Sequence, residues 1–183
     1  VLKPKDFAAS AGRPRKRFLT IQELRKLWAC LDDSVNKQDG RASSMSPLTA
    51  TAIKLLILTG ARRGEVAAMR WDEIDFGADT WTIPAEKTKN GQEHTVYLSK
   101  LAKQLVKNLR EINSTSEYLF DTGLNTRGHI HTDALTRAIR RLMIKDQAIQ
   151  KQKKSTQQHD ISEPPLKDMR LFTPHDLRRS AAT

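Results

Sequence analysis

Five side chains in three separated stretches of this 183-residue chain are of types that handle phosphate, and a sixth could orient one of them. The stretch TGARRGEV carries Arg62 and Glu65 three residues apart. On a helix the two would share a face, and the carboxylate could orient the guanidinium. The turn sequence KTKNG lifts Lys87 and Lys89 to an exposed tip, and TPHDLRR sets His175 and Arg178 three apart on one helical face. Guanidiniums bind nonbridging phosphate oxygens in bidentate fashion and stabilise the charge of a pentacovalent transition state. A lysine can protonate a leaving alkoxide, and a histidine can assist proton transfer from a nucleophile. Taken one at a time, each could be an ordinary surface cation. Taken together, they suit attack on a phosphodiester.

The elements that must position them follow from periodicity. Thr20 caps a helix in which Ile21, Leu24, Leu27, Trp28 and Leu31 recur at helical spacing. Turn formers fill 32–46. LTATAIKLLILTG then reads as a helix buried on most sides and stopped at Gly60. A third helix is expected from about Arg62 to Trp71. TWTIPAE and EHTVYLS read as a hairpin that buries Trp81, Ile83, Val96 and Leu98 on one face. Ser99 caps a helix with a stripe of Leu101, Leu105, Leu109 and Ile112, and another helix near 132–145 carries Leu135, Ile139, Leu142 and Met143. Residues 113–130 are mostly loop. Thr173, Pro174 and Asp176 have the types and spacing of an N-cap, a first turn and a capping box. The fold class is mainly α (α+β), helical with a small antiparallel sheet. Residues 1–18 form a basic linker or arm, 19–183 the main domain, and the polar, Gln- and Lys-rich stretch 145–170 a mobile loop.

Charge narrows the partners. Lys and Arg number 32 against 21 acidic residues, a net charge of +11, so a polyanion is expected, most commonly nucleic acid. Cys30 is the only cysteine, which excludes an internal disulfide and a cysteine-based zinc site. His129 and His131 have ligand-like spacing but no evident third ligand, so no metal is expected. There is no apolar run long enough to span a membrane and no apolar signal core at the N-terminus. A reducing, cytoplasmic setting fits these features.

T-G-x-R-x-G-E at 59–65, T-K-N-G before a V-Y-L-S strand, and H-D-L-R-R at 175–179 resemble the tyrosine recombinases, in that family's order. The wording RFLTIQELRKLW and HDLRRSAAT is most similar to integrases of phages and genomic islands. The resemblance covers about residues 17–183 and implies a helical integrase-type catalytic domain. It makes Arg62 and Arg178 the two catalytic arginines, Glu65 the acidic partner, and Lys89 the hairpin general acid, with Lys87 the weaker claimant. His175 completes the H-x-x-R box, Arg63 is a neighbour on another face, and Arg179 falls outside the box.

In that family a tyrosine hydroxyl attacks the scissile phosphate, forming a 3′-phosphotyrosine and releasing a 5′-hydroxyl, without metal, ATP or any other cofactor. The family places the nucleophile after H-x-x-R. Tyr97 and Tyr118 both precede that box, so no nucleophile is assigned. The chain is expected to be a catalytic-domain fragment, truncated before that tyrosine and unable to cleave. Its final helix, lacking a C-cap, should fray. The expected partner is double-stranded DNA at attachment sites, with a homo-tetramer on DNA for the full-length protein and a monomer for the isolated chain. A type IB topoisomerase-like enzyme and a non-catalytic DNA-binding regulatory domain are the alternatives.

Overall fold

The computed structural model describes residues 17–35, 45–113, 115–123, 127–144 and 164–181. Among them are six α-helices and one three-stranded antiparallel sheet in the order β1-β2-β3. The helices are α1 (Ile21–Val35), α2 (Pro47–Thr59), α3 (Arg63–Ala67), α4 (Lys100–Ile112), α5 (Thr132–Met143) and α6 (Pro174–Ser180). The strands are β1 (Ile74–Asp75), β2 (Thr80–Ile83) and β3 (His94–Tyr97). Among the described residues, no helix is long and apolar enough to cross a membrane.

α2 is the axis of the fold, packing against α1, α3, α4, α5 and α6. Its ends are set locally. Ser46 Oγ accepts from the Thr49 amide, Pro47 occupies the first turn, and Gly60 ends the helix with a left-handed φ of 62°. Because neighbours surround it, most of α2 is apolar. Its one buried cation, Lys54, is paired with Asp32 of α1 and lies 5.0 Å from the centroid of the Trp28 ring.

The sheet follows the alternation in the sequence. Trp81, Ile83, Val96 and Leu98 are buried, with Trp81 opposite Val96. β1 is an addition that two residues are too short to announce. Tyr97 is on the opposite face of β3 and is exposed.

Several expected boundaries and faces are corrected. The helix expected over Arg62–Trp71 is only five residues long, because the chain breaks after Ala67 to bury Met69 and to bridge Arg70 to Tyr118. A 3₁₀ turn at Trp71–Glu73 then leads into β1. In α4 the apolar stripe is rotated: Ala102, Val106 and Leu109 are buried, whereas Leu101 and Ile112 are exposed. In α1 the stripe begins at Leu24, and Ile21 is exposed. α6 has the expected Thr173–Asp176 capping box and runs to Ser180; residues 182–183, where fraying was expected, lie outside the described residues.

Of the expected mobile loop, 145–163 lies outside the described residues. Its remainder is folded onto α5: Leu166 and Met169 are buried, and the Leu166 amide donates to Leu142 O at 2.8 Å. Residues 1–16 of the expected arm also lie outside the described residues.

Candidate functional site

The left-handed cap at Gly60 turns the chain out of α2, and Ala61 is buried behind it. Arg62 follows in extended conformation as the N-cap of α3, one residue before the helix rather than within it. Glu65 is the third residue of α3, and its carboxylate reaches back to the cap. One oxygen accepts the Arg62 amide at 2.6 Å and the other accepts Arg62 Nη1 at 2.6 Å. Glu65 thus supplies the back-reaching half of a capping box, while Arg62, whose side chain has only donors, is the candidate ligand-binding residue.

Packing of α6 against α2 brings a second guanidinium to the same acid. Arg178 Nη1 lies 3.8 Å from Glu65 Oε2. The Glu65 side chain is 3% exposed, against 41% for Arg62 and 36% for Arg178. A buried carboxylate thus neutralises part of the repulsion between two arginines while over a third of each side chain faces solvent. Two forked donors fixed from behind and open in front form a receptor for a tetrahedral oxyanion.

His175 is exposed on the first turn of α6, on the same helix as Arg178. Arg63 is held elsewhere. Its Nη1 donates to Thr136 Oγ1 at 2.8 Å and lies 3.5 Å from Asp133 Oδ1, both on α5. Arg179 faces Asp176 at 3.8 Å.

The two hairpin lysines occupy different environments. Lys87 is not at an exposed tip but closes a 3₁₀ turn at Ala85–Lys87 and is half-buried. Its ammonium donates to Ala68 O at 2.9 Å and pairs with Glu73. Ala68 directly follows α3, so Lys87 joins the base of the hairpin to the helix that carries Glu65. Lys89 is exposed in the turn beyond, which Thr88 Oγ1 braces by accepting the Gln92 amide at 3.0 Å. Among the described residues, Lys89 makes no hydrogen bond or ion pair to Arg62, Glu65 or Arg178. The structure therefore brings together Arg62, Glu65 and Arg178, with His175 on the same helix as Arg178 and Lys89 on a separate turn.

Glu73 is a supporting residue that no sequence signal marked. It accepts from the Arg70 amide, from Trp81 Nε1 and from Lys87, three partners from different segments. Different outcomes are expected at the two lysines. Lys87→Ala leaves the buried Glu73 carboxylate without its cation and should destabilise the fold by about 1–3 kcal/mol. Lys89→Ala should leave stability within about 0.5 kcal/mol, as at other exposed sites. Urea denaturation of both variants checks this, and equal losses would contradict it. No group of three or more His, Cys, Asp or Glu side chains that could hold a metal occurs among the described residues. His131 instead caps α5, its Nδ1 accepting the Asp133 amide at 3.2 Å.

The sequence matches the phage integrase family over residues 17–183. It is 32% identical over 101 residues to the prophage integrase IntA of Escherichia coli K12, a match covering 55% of this chain and 24% of that protein. The fold is similar to that of XerA recombinase, with a TM-score of 0.59 at 16% identity, covering 94% of this chain and 52% of that one. It is also similar to a lambda integrase solved as a tetramer bound to a Holliday junction, with a TM-score of 0.51 at 19% identity, covering 100% of this chain and 46% of that one. The chain thus spans about half of these solved proteins and about a quarter of the bacterial relative.

Proposed function

The chain belongs to the phage integrase family, and from that premise we propose that it is the phosphate-binding part of a site-specific DNA recombinase. The observation that carries the proposal is the convergence of Arg62 and Arg178 on Glu65. In the proposed reaction the two guanidiniums hold the nonbridging oxygens of the scissile phosphate. A tyrosine oxygen bonds to phosphorus and the bond to the 5′ oxygen breaks. Lys89 gives a proton to that leaving oxygen, and His175 assists proton removal from the tyrosine. The freed 5′-hydroxyl of a second strand reverses the step, so the phosphoester bond is conserved and no external energy source enters the balance.

Neither described tyrosine is assigned the attack. Tyr97 lies on β3, and Tyr118 is engaged with Arg70 and His129. The family pattern places the nucleophile after the H-x-x-R box. Double-stranded DNA in the bacterial cytoplasm is the proposed substrate, with a tetramer as the working assembly of the whole protein and a monomer for this chain alone. The net charge of +11 supports the choice of a polyanion, and binding should weaken steeply as salt rises.

The test uses the whole protein and a nicked DNA bearing its attachment site, scored for covalent adduct on a denaturing gel. An adduct that disappears in Arg62→Ala and in Arg178→Ala is expected. No adduct with the native sequences intact would overturn the proposal in favour of a DNA-binding regulator. Relaxation of supercoils without exchange between two sites would favour a type IB topoisomerase.

A further inference from the structure

The segment that enters α1 does not simply lead into the helix. It crosses the end of α6, the helix that carries His175 and Arg178. The Leu19 amide donates to Ser180 Oγ at 2.7 Å, and the Ser180 hydroxyl donates to Asp176 O at 2.8 Å. Leu19 is buried, which fixes its amide in place. On the outer side, Arg17 forms two hydrogen bonds with the Glu23 carboxylate, at 2.5 and 3.1 Å, and reaches Arg170 O at 3.4 Å. Glu23 in turn accepts the Thr20 amide at 2.9 Å. The Arg17 guanidinium holds the Glu23 carboxyl below the usual carboxylate range despite partial desolvation. Residues 17–20 therefore form a strap fastened at one end to α1 and at the other to the last turn of α6.

A serine near a helix end commonly bonds back to the carbonyl four residues earlier, as Ser180 does with Asp176. What that local habit does not explain is the second bond, from a backbone amide far away in sequence. It uses the remaining capacity of the hydroxyl to join two segments. Ser180 lies two residues after Arg178, and next to it Ala181 packs against Gly60, the turn that leads into Arg62. The last turn of α6 is thus held on one side by the strap and on the other by the turn before the first arginine.

We propose that Ser180 is a positioning residue for Arg178, held in register by the strap Arg17–Thr20. This rests on the recombinase reading above. The entry to α1 and the alignment of Arg178 are then linked through one hydroxyl.

The experiment measures the rate of covalent adduct formation by the whole protein on nicked DNA at saturation, with DNA affinity and thermal unfolding measured in parallel. Ser180→Ala is expected to slow adduct formation about tenfold while changing DNA affinity less than about twofold. Ser180→Thr keeps a hydroxyl and should restore the rate to within about threefold of the native value. In an Arg178→Lys background, Ser180→Ala should add less than about twofold, because both changes act on the same contact.

A native rate in Ser180→Ala overturns the strap proposal alone. So does a rate loss that Ser180→Thr fails to restore, or one that multiplies fully with Arg178→Lys. Absence of adduct from the native protein overturns the recombinase reading and the strap together, which separates the two failures.

Discussion

Glu65→Ala is expected to cut strand cleavage by the whole protein about 10²-fold or more, while costing about 1–3 kcal/mol of stability. The asymmetry follows from what the carboxylate touches. Its structural duty is the N-terminus of a five-residue helix, where it accepts the Arg62 amide. Its other contacts are the two guanidiniums, one at 2.6 Å and one at 3.8 Å. Without it, two like charges lose their shared counterion, and each arginine is free to leave the position from which it is proposed to bind phosphate. Glu65→Gln is the informative companion. An amide oxygen can still accept the Arg62 amide, but its uncharged side chain is a weak tether for two cations. Stability near the native value with cleavage still reduced about tenfold or more is expected. Native cleavage rates in Glu65→Ala, measured on nicked DNA beside a urea titration, would show that the buried acid does not organise the arginines.

Gly60→Ala is expected to be strongly destabilising. Gly60 has φ 62°, where an L side chain costs about 1–2 kcal/mol. A Cβ there would also stand 3.1 Å from the Ala181 Cβ at the end of α6. Forcing those groups apart adds about 1–3 kcal/mol and moves α6 relative to Arg62. The combined loss should be about 2–5 kcal/mol, with cleavage falling as well. Gly91 supplies the control. It has φ 65° but nothing within 4 Å of its added Cβ, so Gly91→Ala should carry the conformational cost alone, about 1–2 kcal/mol. Equal losses at the two glycines, measured by thermal or urea unfolding, would contradict the close packing of α6 on the Gly60 turn.

The parts of this fold that could be read beforehand are those whose causes are local. Ser46 and Gly60 bound α2 because a cap and a left-handed stop act within a few residues. Thr173, Pro174 and Asp176 start α6 for the same reason, and Trp81 and Ile83 alternate as a half-buried strand requires. The candidate residues stood out as a motif set, and packing places three of them, Arg62, Glu65 and Arg178, together.

What escaped depends on neighbours distant in sequence. Leu101 and Ile112 are at least as apolar as Ala102 and Val106, and only the position of α2 decides that the latter two face inward instead. The third helix was overextended because nothing within 62–71 announces that Arg70 will bridge to Tyr118. Lys87 looked like a tip residue until Glu73 and Ala68 were brought to it. Arg62 and Glu65 are neighbours as expected, but because the Glu65 carboxylate reaches back to the N-cap residue rather than through a shared helical face. Ser180 carries no signal at all, since its partner is the backbone of Leu19.

The central claim is that Arg62 and Arg178 act as one phosphate-binding unit organised by Glu65. A double-mutant cycle with Arg62→Lys and Arg178→Lys tests it, because lysine keeps the charge and removes the fork. The quantity measured is the rate of covalent adduct formation by the whole protein on saturating nicked DNA. Each single variant should lose about 10–10²-fold, and the double variant should lose no more than about threefold beyond the worse single. Losses that multiply in full, or a single variant with the native rate, would contradict a shared unit.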